Sequence, residues 1–185
     1  MTQESINALD AVNIAIQMER DGHKFYHEAA ARIEDDNGKE IFAKLANDEL
    51  AHLYWLMTVR QSLVRTGQFG EVEALLKEDQ PIDHNVFEGF PAVAHSLEIE
   101  PGSRELDAFQ MGIQAEKDAV AFYLRAAETT HDLGGRSLFK RLAEWEEEHV
   151  RILETERDYL ENNGVCLGLA EFHLEGPEYM RWWRR

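Results

Sequence analysis

The chain has 185 residues, long enough for one domain with its own hydrophobic core. Its single cysteine, Cys166, excludes an intramolecular disulfide and any thiolate metal cage, and is read as a buried hydrophobe. Nineteen Lys and Arg stand against 36 Asp and Glu, a formal charge of -17, which argues against a nucleic-acid partner and against an anionic membrane surface.

Residues 5–34 read as a first helix, with Ser5 as its N-cap and Ile6, Leu9, Val12, Ile16 and Phe25 at helical spacing. Asp35-Asp36-Asn37-Gly38 reads as a turn. A second helix follows over 39–65, with Ile41, Phe42, Leu45, Leu53 and Leu56 as its apolar stripe and Thr66-Gly67 as its stop. Residues 67–102 carry three of the four prolines and read as a long connection, with a short helix at 72–77. Ser103 caps a third helix that runs to about His131 and is broken by Gly134-Gly135. A fourth runs from Arg136 to Glu161 and ends at Asn162-Asn163-Gly164. Residues 164–185 form a short C-terminal tail, in which Gly176-Pro177 opens a last short helix. The run Arg181-Trp182-Trp183-Arg184-Arg185 either docks a partner or caps the bundle. No segment alternates with period two. The expectation is one all-α domain over 1–185: a four-helix bundle of two helical hairpins joined by one long crossover. No apolar run approaches the ~20 residues of a membrane helix, and MTQESINALD lacks the charged and apolar regions of a signal peptide. A cytoplasmic protein is expected.

The two hairpins repeat each other at a constant offset of 97, and over 16–53 against 113–150 fifteen of 38 positions are identical without a gap. A shared core pattern explains the matching Phe, Leu and Ala. It does not explain why Glu19, Tyr26, Glu49 and His52 meet Glu116, Tyr123, Glu146 and His149 inside the apolar stripes. Glu49 and His52 lie three apart on one helix face, as do Glu146 and His149. At the helical rise, Glu19, Glu49 and His52 all lie about 16–22 Å from their hairpin turn, so they share one level of the bundle. The constant offset puts the second set at one level as well. Two such hairpins face to face bring four carboxylates and two imidazoles into the interior. Uncompensated burial of four carboxylates is very costly; they either share protons or bind cations, and two divalent ions cancel four Glu charges. One Glu from each of two helices plus Glu-x-x-His from each of the other two is the donor set of carboxylate-bridged dinuclear bundles, and it suits iron or manganese.

Other polar residues read more plainly. Tyr26 and Tyr123, two turns beyond Glu19 and Glu116, are placed either to hydrogen-bond the ligand carboxylates or simply to pack. His23 matches Val120 and reads as a packed or solvent-reaching histidine. Glu128 and His131 form a third Glu-x-x-His, but at a helix end, and read as a surface pair. Glu147 and Glu148 read as a solvated face. Trp145, near the site's level, reads as core packing, with shielding of the site as the alternative.

The segments MERDGHKFYHEAA, IFAKLANDELAHL, QAEKDAVAFYLRAA and LFKRLAEWEEEHV resemble the rubrerythrin-like branch of the ferritin-like superfamily, over roughly residues 5–163. The resemblance implies a non-haem di-iron centre that reacts with peroxide or dioxygen and protects against oxidative stress. It implies Glu19, Glu49, His52, Glu116, Glu146 and His149 as metal ligands, with Glu49 and Glu146 bridging. Two iron ions are the expected cofactor, with manganese or zinc as substitutes. Two features depart from the family. The cysteines of a fused rubredoxin module are missing, so a separate, rubredoxin-like electron donor is expected. The extra carboxylate that rubrerythrins carry three residues after the third-helix ligand is Ala119 here, and its repeat counterpart is Gly22. The peroxidase reading therefore has rivals: a ferroxidase or iron-handling protein, a non-enzymatic iron or peroxide sensor, and an oxygenase, which would need an apolar channel beside the metals. A homodimer is expected, and the long connector permits exchange of hairpins between chains.

Overall fold

The computed structural model describes residues 7–72 and 105–162. They form four helices: α1 (Ala8–Arg32), α2 (Asp36–Thr66), α3 (Glu105–Thr129) and α4 (Leu133–Glu161). No strand occurs among the described residues. No helix among them is long and apolar enough to cross a membrane. The short helix at 72–77 (beyond Val72), the Ser103 cap, Cys166 and the tail helix lie outside the described residues.

The four expected bundle helices are all present, with shifted ends. α1 starts at Ala8 rather than near Ser5, because the Asn7 side chain accepts a hydrogen bond from the Asp10 N–H at 2.9 Å and so acts as the N-cap. The cluster at 35–38 is not a free turn. Asp35 accepts from the Gly38 N–H at 2.7 Å, so Asp36, Asn37 and Gly38 become the first turn of α2. The same happens one repeat later: Asp132 accepts from the Gly135 N–H at 2.9 Å, and Gly134 and Gly135 open α4 instead of breaking α3. α3 has already ended at Thr129. Gly67 does stop α2, with φ 73° in the left-handed region and its N–H bonded to the Leu63 carbonyl at 2.9 Å.

α1 packs along its length on α2, and α3 on α4. The core falls into two apolar layers. In one, Val12, Ala15 and Leu56 of the first hairpin meet Tyr123, Ala126 and Phe139 of the second. In the other, Phe25, Tyr26 and Phe42 meet Phe109, Ile113 and Leu153. The N-terminal half of α1 thus packs beside the C-terminal half of α3, so the two run antiparallel, and α2 and α4 likewise. The repeat counterparts Tyr26 and Tyr123 fall in opposite layers, as do Phe42 and Phe139, as an approximate two-fold axis across the bundle requires. Such an axis relates α1 to α3 and α2 to α4. It also leaves a single level between the layers where residues from all four helices converge.

Candidate metal centre

That level is polar. Glu19 from α1, Glu49 and His52 from α2, Glu116 from α3, and Glu146 and His149 from α4 are each no more than 4% exposed. Their ligand atoms form two overlapping groups: Glu19, Glu49, His52 and Glu146; and Glu49, Glu116, Glu146 and His149. Within each group the atoms lie within 4.8 Å of one another. Glu49 and Glu146 belong to both. All six residues that the sequence singles out are brought together, and they are arranged as two sets of four sharing two carboxylates.

The contacts converge rather than pair off. His52 Nδ1 lies 3.2 Å from Glu19 Oε2, 3.2 Å from Glu49 Oε2 and 3.1 Å from Glu146 Oε1. His149 Nδ1 lies 2.8 Å from Glu146 Oε2, 3.3 Å from Glu49 Oε1 and 3.4 Å from Glu116 Oε1. Despite these short distances, both carboxylate oxygens of Glu146 and the Nδ1 of His149 lack a partner in hydrogen-bond geometry among the described residues. Buried polar atoms without partners are rare and need a cause. The two Glu146 oxygens and His149 Nδ1, grouped with the other ligand atoms and without a donor among the described residues, fit cations held between them. Among the described residues the donor set is carboxylate and imidazole, with no sulfur.

Protonation shows the cost of the bare cluster. Burial first, and then the charge of Glu49, push the Glu19 carboxyl up to about 8. Burial, with the charges of Glu49 and Glu146, also raises Glu116 well above the usual carboxylate range. Glu49 is pushed up by burial and by Glu146, but hydrogen bonds from Glu19, His149 and His52 outweigh this and leave it lowered. Glu146 is lowered too: burial opposes, and the charges of His52 and His149 prevail. Burial opposes the charging of both imidazoles, yet the negative charge of Glu146 first, and then hydrogen bonds to the surrounding carboxylates, raise them well above the ordinary histidine value. Without cations, the cluster keeps itself near neutrality with protons.

Tyr26 and Tyr123 bond the site, but across the hairpins. The Tyr26 hydroxyl on α1 donates to Glu116 Oε1 on α3, and the Tyr123 hydroxyl on α3 donates to Glu19 Oε1 on α1. Burial and the acceptor's charge raise both phenols well above their usual value, so they remain donors. His23 stands apart, with its Nδ1 2.7 Å from the Ala46 carbonyl. Glu128 and His131 are exposed. Trp145 does more than pack: it stacks on His52 with ring centres 5.1 Å apart and planes at 16°. Trp55 stacks on Trp145 at 4.4 Å, and the Arg141 guanidinium lies 4.8 Å above the Trp145 ring.

Two residues escape the sequence reading. Asp48 sits beside Glu49 with its Oδ2 3.5 Å from His149 Nε2 and 2.7 Å from Lys44 Nζ. Burial works against its charge, but the His149 contact and Lys44 hold its carboxyl down at about 2. It matches Trp145 in the repeat, so the repeat hides it. Glu156 is buried and accepts from the Asn37 side chain at 2.6 Å, tying α4 to the start of α2 away from the cluster.

A four-helix bundle whose interior carries such a carboxylate and imidazole cluster defines the ferritin-like class of proteins with a candidate metal centre. The rubrerythrin family model matches residues 10–157, and the chain belongs to the rubrerythrin family. No curated protein matches it. A solved structure of a hypothetical protein from Pyrococcus furiosus is similar in fold, at 22% identity and a TM-score of 0.65, covering 89% of this chain and 97% of that one.

Proposed function

We propose that this chain is a non-haem di-iron protein that reduces hydrogen peroxide, or dioxygen, with electrons from a separate donor. One observation carries the reading: two four-residue ligand groups share Glu49 and Glu146. In it, Glu19 and His52 would hold one ion, Glu116 and His149 would hold the other, and Glu49 and Glu146 would be shared by both. Two iron ions held there supply one electron each and act as Lewis acids. Manganese or zinc fits the same donors.

The chain's own part is placement and protons. The tyrosine hydroxyls donate to Glu19 Oε1 and Glu116 Oε1 and hold both carboxylates in place. The two apolar layers keep bulk water from both ends of the site. Glu19 carries a proton near neutral pH when no cation is bound, burial and the charges of Glu49 and Glu146 raise Glu116 in the same direction, and loading releases protons. With one cysteine the chain has no thiolate electron carrier, which is why the donor is separate and rubredoxin-like in this proposal. The chain works as a homodimer in the cytoplasm.

Ala119 favours a second reading. Where rubrerythrins carry an additional carboxylate the chain has a methyl group, which weakens the case for peroxidase turnover relative to ferroxidase or iron handling. Anaerobic iron loading with metal counting, followed by peroxide or dioxygen, separates the two. The expected result is two irons per chain and fast peroxide consumption under donor supply; uptake well beyond two supports iron handling. Glu19→Ala with Glu116→Ala is expected to abolish loading. Unchanged iron binding in that double variant defeats the ligand assignment.

A further inference from the structure

A cavity of about 630 Å³ lies between α1 and α3 and reaches the cluster. Its volume falls within the roughly 300–1,000 Å³ of small-molecule sites, far more than peroxide needs. Its origin is legible in the helices. Gly22 and Ala119, repeat counterparts on α1 and α3, both line it, and neither has a side chain large enough to fill the gap. A Cβ on Gly22 would come within 3.5 Å of Glu49 Cγ, so the missing side chain leaves space directly against a bridging carboxylate. Ile14, Met18, Ala115 and Ala119 give the cavity an apolar wall. At its inner end stands Glu146, buried and with neither oxygen hydrogen-bonded.

Charge narrows what can enter. Among the described residues six carboxylates line the cavity (Glu19, Asp21, Glu49, Glu116, Asp118 and Glu146), and no lysine, arginine or histidine does. Two divalent cations would offset the four glutamates. Asp21 and Asp118 would remain, and they too are repeat counterparts. Each is steadied by the side-chain amide of a glutamine one turn earlier, Gln17 to Asp21 and Gln114 to Asp118, both at 2.9 Å. Asp118 is exposed and Asp21 half-buried, so this pair marks the solvent side. An anion is repelled there and a cation attracted.

We propose that the cavity is a binding site for a small amphiphilic organic cation, an alkylamine-type molecule. Its chain lies along Ile14, Met18, Ala115 and Ala119, and its ammonium meets Asp21 and Asp118. The far end of the chain then fills the gap that Gly22 and Ala119 leave. This goes beyond the peroxide reading, which calls for no organic ligand, and the site's wall and mouth do not depend on which metal is bound.

Calorimetric titration of octylamine, octanol and octanoate into the full chain, metal-free and manganese-loaded, tests the site. Saturable octylamine binding at one per chain is expected, with octanol about tenfold weaker and no octanoate binding. Ala119→Leu fills the cavity and is expected to abolish binding of both octylamine and octanol. Asp118→Asn, an exposed change that spares folding, is expected to weaken octylamine several-fold and leave octanol unchanged. The proposal is overturned by an absence of saturable octylamine binding, by octanoate binding as tightly as octylamine, or by Asp118→Asn leaving octylamine unaffected. Failed metal loading with octylamine binding intact defeats only the di-iron reading; the reverse result defeats only this one.

Discussion

Asp48 and Trp145 hold the same position in the repeat, yet they act differently on the imidazole of the opposite hairpin. Asp48 places a carboxylate 3.5 Å from the outer nitrogen of His149, whereas Trp145 lays an indole on the face of His52. A carboxylate behind a ligand histidine fixes its tautomer and raises its basicity. In the proposed centre the two cation positions would therefore be unequal, and the one assigned to Glu116 and His149 should fill first. Asp48→Asn should weaken that position about 10–100-fold and merge a two-step manganese titration into one step, while circular dichroism shows the helices intact. A titration unchanged by the substitution would mean that Asp48 serves only Lys44. Tyr123→Phe removes the hydroxyl that satisfies Glu19 Oε1 and should cost roughly 1–3 kcal/mol in chemical unfolding of the metal-free protein. The six cluster residues were legible because duplication matched glutamates and histidines where only apolar residues are needed. Asp48 was not, because its contact joins two hairpins and its counterpart is an indole. The tyrosines' acceptors were hidden for a related reason: helical spacing shows which side chains share a face, not that Tyr26 reaches across to Glu116.

At the scale of elements, the sequence showed four helices and the order of their stripes, but not how two of them begin. From sequence alone Asp35-Asp36-Asn37-Gly38 reads as a turn and Gly134-Gly135 as a breaker, because glycine is poor in helix interiors. In the fold Gly38 and Gly135 each sit in a first turn, where an aspartate satisfies a free N–H. Gly135 has a further reason to be there: a Cβ would lie 2.5 Å from the ring of Phe69, which packs edge-on against Phe139. That contact comes from the segment after α2, so nothing local to Gly135 announces it. Gly135→Ala should therefore destabilise by about 1–3 kcal/mol through overpacking, although alanine is the better helix former. Gly134→Ala, whose Cβ comes no nearer than 3.2 Å to the Asp132 carboxylate, should cost less. Equal thermal shifts for the two variants would remove Phe69 from the explanation.

Across the whole molecule, the buried cluster couples stability, pH and metal. Glu19, with its carboxyl at about 8, keeps in the folded chain a proton that the unfolded chain loses near 4.5. The folded state then binds more protons than the unfolded one, so this group's contribution declines as pH rises from 4.5 through 8, by up to about 1.4 kcal/mol per pH unit. Glu116 acts in the same direction, and the two histidines add to it above their ordinary value of 6.5. Glu49 and Glu146, held low, act oppositely: their contribution is present above the ordinary carboxylate range and is lost as pH falls through their lowered values. The metal-free protein should accordingly be most stable in mildly acidic solution, around pH 5, and lose stability on the way to pH 8. Divalent cations reverse the slope on the alkaline side, since they bind the deprotonated ligands and take over the protons' task. The gap in melting temperature between metal-loaded and metal-free protein should widen from pH 5 to pH 8. Manganese titrations in buffers of different ionisation enthalpy should register protons released on binding. A gap that stays constant with pH, or binding that releases no protons, would show that the six groups do not face the cations.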